Sequence, residues 1–366
     1  MSKLEELIAE LCPNGVEHFR LRECTEMKRG TSATKSTLVE GDIPVISGGK
    51  EPAFYCDSPN RDGETITVAG SGAGAGYVQY WNKPIFVNDA FSIKGHEKLY
   101  TRYVYHYLLN IQGEIYATKK GGGVPHVHIS SIENFKIPVP PLPVQNEIVR
   151  ILDNFTELTA ELTAELTARK KQYEYYRKEL LTFTDDVKKV PLIDVVKIKR
   201  GVRVVKSQLA VEGEYPVFQN SMTPLGYMDK ANCTGDTAFI ITAGAAGEIG
   251  YTDNDFWAAD DCFSFECPQY LKSKYLYYIL LCQKNTIYSK VRKASIPRLP
   301  RSAIEKLIIP VPNVDIQEKI VDVLDRFDTL CNDISKGLPA EIEARQKQYE
   351  YYRDKLLTFK ESSDEN

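Results

Sequence analysis

Apolar side chains recur every three or four residues along two long stretches of the chain. The first stretch runs from Ile148 to Leu180, and the second runs from Ile320 to Leu356 and includes Ile334. Apolar recurrence of this kind over about five heptads is typical of helices that pair in a coiled coil. The pattern therefore predicts two long helices that pack against each other, in preference to two independent surface helices.

The two stretches belong to an internal repeat. Residues 169–183 and 345–359 are identical at twelve of fifteen positions, and Ile137-Pro-Val-Pro140 recurs as Ile309-Pro-Val-Pro312. The chain is thus one segment of about 180 residues written twice, with a variable globular part followed by a nearly unchanged helical tail. In the second tail Pro339, which follows Gly337, should kink or restart the helix.

The globular parts mix short strands with short helices. Runs such as 65–68 and 238–242 are rich in β-branched and aromatic residues and are bounded by glycine, which favours strands. Residues 103–109 and 275–281 indicate helices whose tyrosines belong to the core, although tyrosines could also stack on bases. Residues 70–76 resemble a dinucleotide-binding G-x-G-x-x-A motif, but the second copy loses the pattern, which favours a turn between strands.

Composition narrows the class of protein. The chain has 366 residues, 43% of them apolar, and no stretch approaches the roughly 20 apolar residues that cross a bilayer. The N-terminus is acidic and amphipathic and does not resemble a signal peptide, so we expect a cytoplasmic protein. The eight cysteines form no CxxC pair, which favours reduced structural thiols over a disulfide or metal framework.

Catalytic motifs are missing from the sequence. It has no phosphate-binding G-x-x-x-x-G-K-[ST] loop, no H-E-x-x-H, no nucleophile elbow and no Asp/Asn-Pro-Pro-aromatic motif of amino-methyltransferases. The five histidines do not form an interpretable ligand set with neighbouring carboxylates. We therefore expect that this chain is not itself an enzyme.

Charge is distributed unevenly along a chain whose net charge is −4. No Asp or Glu occurs between Cys267 and Ile304 or between Ile115 and Ile132, and these two stretches occupy equivalent places in the repeat. A solvated basic face is the simpler alternative. Exclusion of acids at matched positions in an acidic protein favours a surface for a polyanion such as DNA.

Three motifs resemble the specificity subunits of type I restriction–modification systems. They are the Ile-Pro-Val-Pro-Pro-Leu-Pro-x-Gln segment, the Lys-Gln-Tyr-Glu-Tyr-Tyr-Arg helix and the stretch 338–345. The resemblance implies a non-catalytic subunit that reads a two-part DNA site with two target-recognition domains separated by an antiparallel coiled coil. One departure is that the first tail carries Thr-Ala-Glu-Leu repeats where the second has Leu-Pro-Ala-Glu-Ile.

The resemblance also implies partners. Two modification subunits, which methylate adenine N6 with S-adenosylmethionine, would dock on the chain, and ATP-dependent restriction subunits would join them. S-adenosylmethionine, ATP and Mg²⁺ are expected on those partners, and no cofactor is expected on this chain. The alternative is a scaffold that does not bind DNA and whose duplicated coiled coil pairs two identical protein partners.

The fold prediction is a tandem duplication of an α/β (α+β) domain. Its parts are an N-terminal helix docking on the C-terminal helix (1–17), recognition domain 1 (18–141), a central spacer helix (142–183), recognition domain 2 (184–313), a C-terminal spacer helix (314–360) and a disordered tail (361–366). The predicted DNA-binding residues are Lys28, Arg29, Lys119, Lys120, His126, Lys199, Arg200, Arg203, Lys290, Arg292, Lys293, Arg298 and Arg301. No catalytic or metal-ligating residue is predicted.

Overall fold

A computed structural model describes residues 2–333 and 335–362, with the side chain of Lys206 left out. The described chain divides into two compact units: unit 1 contains residues 2–163 and 341–362, and unit 2 contains residues 164–340. Each unit holds one globular part and segments of two long helical stretches. The predicted seam residue Ile334 and the tail residues 363–366 lie outside the described residues.

The helices are α1 (Lys3–Leu11), α2 (Leu21–Cys24), α3 (Thr101–Asn110), α4 (Gln112–Ala117), α5 (Ile129–Ile132), α6 (Leu142–Leu180), α7 (Ser273–Cys282), α8 (Lys284–Ser289), α9 (Arg301–Glu305), α10 (Val314–Asn332) and α11 (Leu338–Leu357). Short 3₁₀ turns lie at Leu192–Asp194 and Lys206–Gln208. None of the helices in the described part of the chain is both long and apolar enough to cross a membrane.

The strands of unit 1 are β1 (His18–Arg20), β2 (Thr25–Arg29), β3 (Ile43–Ile46), β4 (Phe54–Cys56), β5 (Glu64–Ala69), β6 (Val78–Asn82), β7 (Phe86–Val87), β8 (Ala90–Gly95) and β9 (Lys136–Pro138). Those of unit 2 are β10 (Lys189–Pro191), β11 (Lys197–Arg200), β12 (Tyr215–Phe218), β13 (Tyr227–Met228), β14 (Thr237–Ile241), β15 (Ile249–Thr252), β16 (Trp257–Ala258), β17 (Cys262–Glu266) and β18 (Ile308–Pro310).

The two units have the same sheet topology. Unit 1 contains an antiparallel four-stranded sheet in the order β2-β8-β5-β6, a three-stranded sheet β4-β3-β7 and the pair β1-β9. Unit 2 repeats these as β11-β17-β14-β15, β13-β12-β16 and β10-β18. The predicted tandem duplication of a mixed helix-and-sheet domain is therefore confirmed.

The helix tyrosines belong to the core, as predicted. Tyr103 of α3 and Tyr275 of α7 are fully buried, and each hydroxyl donates a 3.1 Å hydrogen bond to a proline carbonyl, that of Pro138 or Pro310. A buried tyrosine hydroxyl needs such a partner. The proline-rich segment that follows each globular part is thus held to its helix.

A buried glutamine ties each spacer helix to its globular part. The amide of Gln145 in α6 accepts a hydrogen bond from the Tyr100 backbone N–H and donates to the carbonyls of Lys98 and Pro140, at 2.7–2.9 Å. Gln317 in α10 makes the equivalent three bonds, to the backbone of Lys272, Tyr270 and Pro312. Both N–H donors and one of the two acceptor lone pairs of each amide are used, which accounts for the same residue at both positions.

The long helices pair in each unit. In unit 1 the ring of Phe155 stacks on Tyr352 with centroids 5.4 Å apart, and in unit 2 Tyr173 stacks on Phe327 at 6.1 Å. The predicted pairing of the two long stretches is therefore confirmed within each unit.

The second spacer consists of two helices separated by a break. α10 ends at Asn332 and α11 begins at Leu338, and the Asp333 carboxylate accepts hydrogen bonds from the Ser335 and Lys336 backbone N–H groups. Pro339 falls in the first turn of α11, where a missing N–H costs nothing. The helix therefore restarts, as Gly337 and Pro339 indicated, whereas α6 continues for 39 residues without interruption.

The N-terminal segment packs against the end of α11. Leu4 of α1 lies in the same apolar cluster as Leu357, and the Val16 backbone forms a parallel bridge with Glu361. The Ser362 N–H donates to the Val16 carbonyl at 3.1 Å. Backbone hydrogen bonds that join Val16 to Lys360 and to Ser362 therefore hold the chain on both sides of Glu361, at the start of the segment predicted as a disordered tail.

Candidate nucleic-acid interface

A cleft in unit 1 is formed where four segments meet. The end of β2 and the start of β8 form one side, and the other side is formed by the turn 70–77 and by a hairpin of residues 120–126, called hairpin 1. Backbone hydrogen bonds join them: the Gly70 N–H donates to Asp89, the Val127 N–H to Gly70 and the Gly72 N–H to Pro125, each at 3.0 Å.

Unit 2 forms the same cleft from the end of β11, the start of β17, the turn 242–248 and a hairpin of residues 292–298, called hairpin 2. The Thr242 N–H donates to Asp261 at 2.7 Å, Leu299 to Thr242 at 2.8 Å and Gly244 to Pro297 at 3.1 Å. The backbone framework of unit 1 is therefore reproduced bond for bond.

The glycine of each Lys-Arg-Gly motif permits this close approach. A β-carbon at Gly30 would lie 2.0 Å from the Asn88 carbonyl oxygen, and one at Gly201 would lie 2.0 Å from that of Ala259. Any side chain at this position would push the strand end away from its neighbour. Both clefts therefore need a glycine there, which explains why the motif recurs.

Each hairpin is closed by a reciprocal pair of backbone hydrogen bonds. In hairpin 1 Lys120 and His126 exchange N–H···O bonds of 3.0 and 2.8 Å, and in hairpin 2 Arg292 and Arg298 do so at 2.8 and 3.1 Å. The acid-free stretches predicted as polyanion-binding surfaces therefore have an ordered backbone.

Five of the predicted DNA-binding residues meet at the clefts. Arg29 and the half-buried His126, whose ring stacks on His128 at 5.9 Å, line the first cleft. Arg200, Arg292 and Arg298 line the second, and all three are exposed. The Arg200 Nε donates to the Asp260 carbonyl at 3.1 Å, which fixes the direction of its guanidinium.

Other predicted residues are engaged by neighbouring groups. Lys28 forms an ion pair with Glu26 and Lys199 with Glu266, and Arg301 contacts Glu305 at 2.7 Å. The hydrogen bond from Lys28 lowers the pKa of Glu26. The Lys119 ammonium lies over the Tyr116 ring, 4.1 Å from its centroid. The remaining predicted residues, which are exposed and do not line a cleft, are Lys120, Arg203, Lys290 and Lys293.

Carboxylates from other elements neutralise part of the positive charge of the acid-free stretch of unit 2. Three of its cations, Lys272, Lys274 and Lys284, pair with carboxylates from other elements at 2.6–3.0 Å. Their partners are Glu318, Asp325 and Glu248. The positive surface therefore contracts to hairpin 2 and its immediate flanks.

Carboxylates that were not predicted as part of the site also line the clefts. They are Asp89 in unit 1 and Asp260 and Asp261 in unit 2. The recurring Asp-x-Phe-Ser pattern at 89–92 and 261–264 was visible in the sequence, but an isolated carboxylate gave no reason to place it beside cations. A carboxylate can accept a hydrogen bond from the cytosine amino group.

The glycine-rich turn does not form a nucleotide site. Residues 70–77 connect the antiparallel strands β5 and β6, and residues 242–248 connect β14 and β15 in the same way. A dinucleotide fingerprint requires the glycines to open a helix. The prediction of a turn between strands is therefore confirmed.

Neither disulfides nor metal clusters are found among residues 2–333 and 335–362. All eight cysteines are free thiols, and burial raises the pKa of Cys24 to about 11. No three His, Cys, Asp or Glu side chains of these residues converge as metal ligands would.

Comparisons with known proteins agree with this architecture. The model of the type I restriction modification DNA specificity domain matches residues 13–169 and again residues 184–344. Because these matches span most of the chain, the protein belongs to the type I restriction–modification DNA specificity family.

Individual relatives match over most of the chain. A protein of Haemophilus influenzae assigned as a type I restriction enzyme specificity subunit is 33% identical over 354 residues, covering 89% of this chain and 90% of the relative. A type I restriction enzyme specificity subunit of Escherichia coli is 33% identical over 293 residues, covering 72% of each chain. The crystal structure of the S subunit from M. genitalium has a TM-score of 0.71 at 19% identity, covers 93% of this chain and 96% of its own, and so shares the fold.

Proposed function

We propose that this chain is the DNA specificity subunit of a type I restriction–modification complex and that each unit reads one half of a bipartite DNA site. The observation that carries the proposal is a cleft built twice on one backbone framework with different side chains. Since hairpin 1 has the sequence Lys-Gly-Gly-Gly-Val-Pro-His and hairpin 2 Arg-Lys-Ala-Ser-Ile-Pro-Arg, the two half-sites should differ. The whole site is therefore asymmetric.

The chemistry of the clefts suits duplex DNA. Exposed Arg292 and Arg298 can neutralise phosphates, and an arginine can also donate two hydrogen bonds to the major-groove edge of guanine. A hairpin closed by backbone bonds can enter a groove without first losing conformational freedom.

The partners follow from the contrast between the two parts of each repeat. Tails that share a segment identical at twelve of fifteen positions suit two copies of one partner, the modification subunit that methylates adenine N6. Each tail carries an exposed tyrosine, Tyr175 or Tyr351, at an equivalent place. Such aromatic side chains are frequent anchors of protein interfaces. Restriction subunits complete the complex.

The chain itself acts without catalysis in this proposal. S-adenosylmethionine would be bound by the modification subunits, and ATP and Mg²⁺ by the restriction subunits. This division of labour leaves the specificity subunit to provide DNA recognition and assembly.

The test is a domain exchange in the assembled methyltransferase. The chain is produced with its modification subunits, and methylated adenines are mapped by long-read sequencing. Replacing residues 184–313 with a recognition domain of another specificity subunit should change one half of the methylated motif and leave the other half as it was.

The matched control replaces residues 18–141 and should change only the opposite half. A chimera that alters both halves contradicts the assignment of one half-site to each unit. Absence of any DNA retardation by the wild-type chain with its modification subunits rejects DNA binding altogether and leaves the scaffold function.

A further inference from the structure

Each hairpin carries one large aliphatic side chain in solvent near its tip. Val124 in hairpin 1 and Ile296 in hairpin 2 occupy equivalent positions, immediately before Pro125 and Pro297, and both are 54% exposed. Exposed aliphatic residues are ordinary when scattered singly. The same exposure at the same position of two otherwise different hairpins is a feature of the cleft.

Backbone hydrogen bonds hold the chain on both sides of Val124 and Ile296. The reciprocal backbone bonds close each hairpin, and Pro125 and Pro297 are each held by a hydrogen bond from the glycine-rich turn. A residue before proline is restricted to extended backbone conformations. Val and Ile are also stiff at χ1. A rigid, exposed methyl surface of this kind is prepared for contact with another molecule.

The surroundings indicate what that molecule is. In the sequence Ile296 lies between Arg292 and Arg298, and Val124 lies between Lys120 and His126, so each aliphatic residue belongs to a hairpin closed by a polar or cationic pair. Ile296 also lines the second cleft together with Arg292 and Arg298. The other tip residues are small: a β-carbon at Gly122 or Gly123 would meet nothing within 4 Å, and hairpin 2 has Ala294 and Ser295 there. A protein partner would be met by a wider apolar patch with aromatic anchors.

A narrow hairpin with one exposed aliphatic group and a polar or cationic closing pair fits a DNA groove. In the major groove the apolar feature of a base edge is the 5-methyl group of thymine, which side-chain methyl groups contact directly. We propose that Val124 and Ile296 are specificity-determining residues that each contact a thymine 5-methyl group, one in each half-site. This inference rests on the proposed DNA-recognition function and names the chemical group that the hairpins read.

The experiment removes only the methyl group. Once the methylated motif is known, each thymine of the half-site read by unit 2 is replaced in turn by deoxyuridine. Binding of the chain with its modification subunits is then measured. One replacement should weaken binding of the wild type about fourfold, the value of one buried methyl or methylene group.

The Ile296→Ala variant should bind thymine and deoxyuridine DNA equally at that position. Val124→Ala should do the same at one position of the other half-site. The matched control is Ile308→Ala, an aliphatic residue of strand β18 that is 50% exposed and lies outside the hairpins. It should keep the fourfold difference.

Three outcomes would overturn the inference. Wild-type complex that binds its site but shows no thymine–deoxyuridine difference at any position rejects the methyl contact and leaves the proposed function intact. An Ile296→Ala variant that retains the difference assigns the contact to another residue. A wild-type complex that binds no DNA rejects the proposed function and this inference together.

Discussion

The contact between the globular part and the spacer helices is built from slightly different side chains in the two units. In unit 1 the buried His106 of α3 bridges Asp153 of α6, at 2.7 Å, and the Tyr349 hydroxyl of α11, at 3.2 Å. In unit 2 Tyr278 takes the place of His106 and donates to Asp325 at 2.5 Å. Imidazole presents its two nitrogens in different directions, whereas a phenol has its donor and acceptor on one atom, and Tyr278 makes no second bond to Tyr173 among the described residues.

The lost bond leaves a buried polar group unsatisfied. Tyr173, the counterpart of Tyr349, has a buried hydroxyl without a hydrogen-bond partner among the described residues. A cation lies near both rings: Arg177 is 5.1 Å from the Tyr173 centroid and Arg353 is 5.1 Å from that of Tyr349. The comparison shows that the side chains between the globular part and the spacer helices can differ between the units. The buried glutamine that binds the backbone, Gln145 or Gln317, is the same in both.

The largest expected effect concerns the two buried glutamines, Gln145 and Gln317. Gln145→Leu leaves one backbone N–H and two carbonyls without their partner in a buried site, which should lower the free energy of unfolding of unit 1 by roughly 3 kcal/mol. Gln317→Leu should cost unit 2 about the same. Hydrogen–deuterium exchange of the full chain, read separately for peptides of each unit, measures both.

An exposed glutamine provides the control for this pair. Gln348→Leu removes a side chain that lies on the surface of α11 and accepts one bond from Arg345. It should change protection by much less. Equal protection in all three variants would show that the glutamines do not hold the globular parts to the spacers.

The second prediction concerns the difference between the hairpins. Arg292→Ala and Arg298→Ala should each weaken DNA binding of the assembled complex by about 1–3 kcal/mol if the arginine reads a base edge. A residue that contacts only phosphate should give a uniform loss across sequences and a salt dependence shallower by about one. Lys119→Ala and Lys120→Ala test the other half-site in the same way.

Arg301→Ala is the matched control, because its guanidinium already pairs with Glu305. A titration of binding against salt concentration distinguishes the cases. If affinity and salt slope were unchanged for Arg292, Arg298, Lys119 and Lys120 alike, the hairpins would not form the DNA surface.

The sequence predicted what depends on local periodicity and on the repeat. Two paired helices, the restart at Gly337 and Pro339, and the turn at 70–77 all follow from spacing or from comparing two copies. The pairing of Lys274 with Asp325 could not be predicted, because 51 residues separate them and only the fold brings them together. Asp89 was missed for the same reason: its neighbours in the cleft come from three other segments.

The third prediction is that the stability of the two units depends differently on pH. Burial lowers the pKa of His106, although the hydrogen bond and charge of Asp153 oppose that effect, while the Arg102 and Arg353 charges reinforce it. The unfolded chain therefore takes up this proton more readily than the folded one. The stability of unit 1 should be unaffected well above pH 6.5 and should fall as the pH drops below that value.

Tyr278 does not titrate in this range, since burial raises its pKa further above its usual value. His106→Tyr should remove this contribution to the acid sensitivity of unit 1 and make its response resemble that of unit 2. Thermal unfolding and hydrogen exchange between pH 7.5 and 5.5 measure the change. A variant as acid-sensitive as the wild type would locate the effect elsewhere.

The smallest expected effect addresses the unsatisfied hydroxyl directly. Tyr349→Phe removes a hydroxyl that bonds to His106 and should destabilise unit 1 by about 0.5–1.5 kcal/mol. Tyr173→Phe removes one that has no partner among the described residues, so no bond is lost and a buried polar group is relieved. The second change should therefore be neutral or stabilise unit 2 by up to about 1 kcal/mol.

Both substitutions delete the same atom from equivalent helix positions, so each serves as the control for the other. Destabilisation of both units by equal amounts, measured by denaturant unfolding, would mean that the Tyr173 hydroxyl is satisfied in solution and that the two junctions are energetically alike.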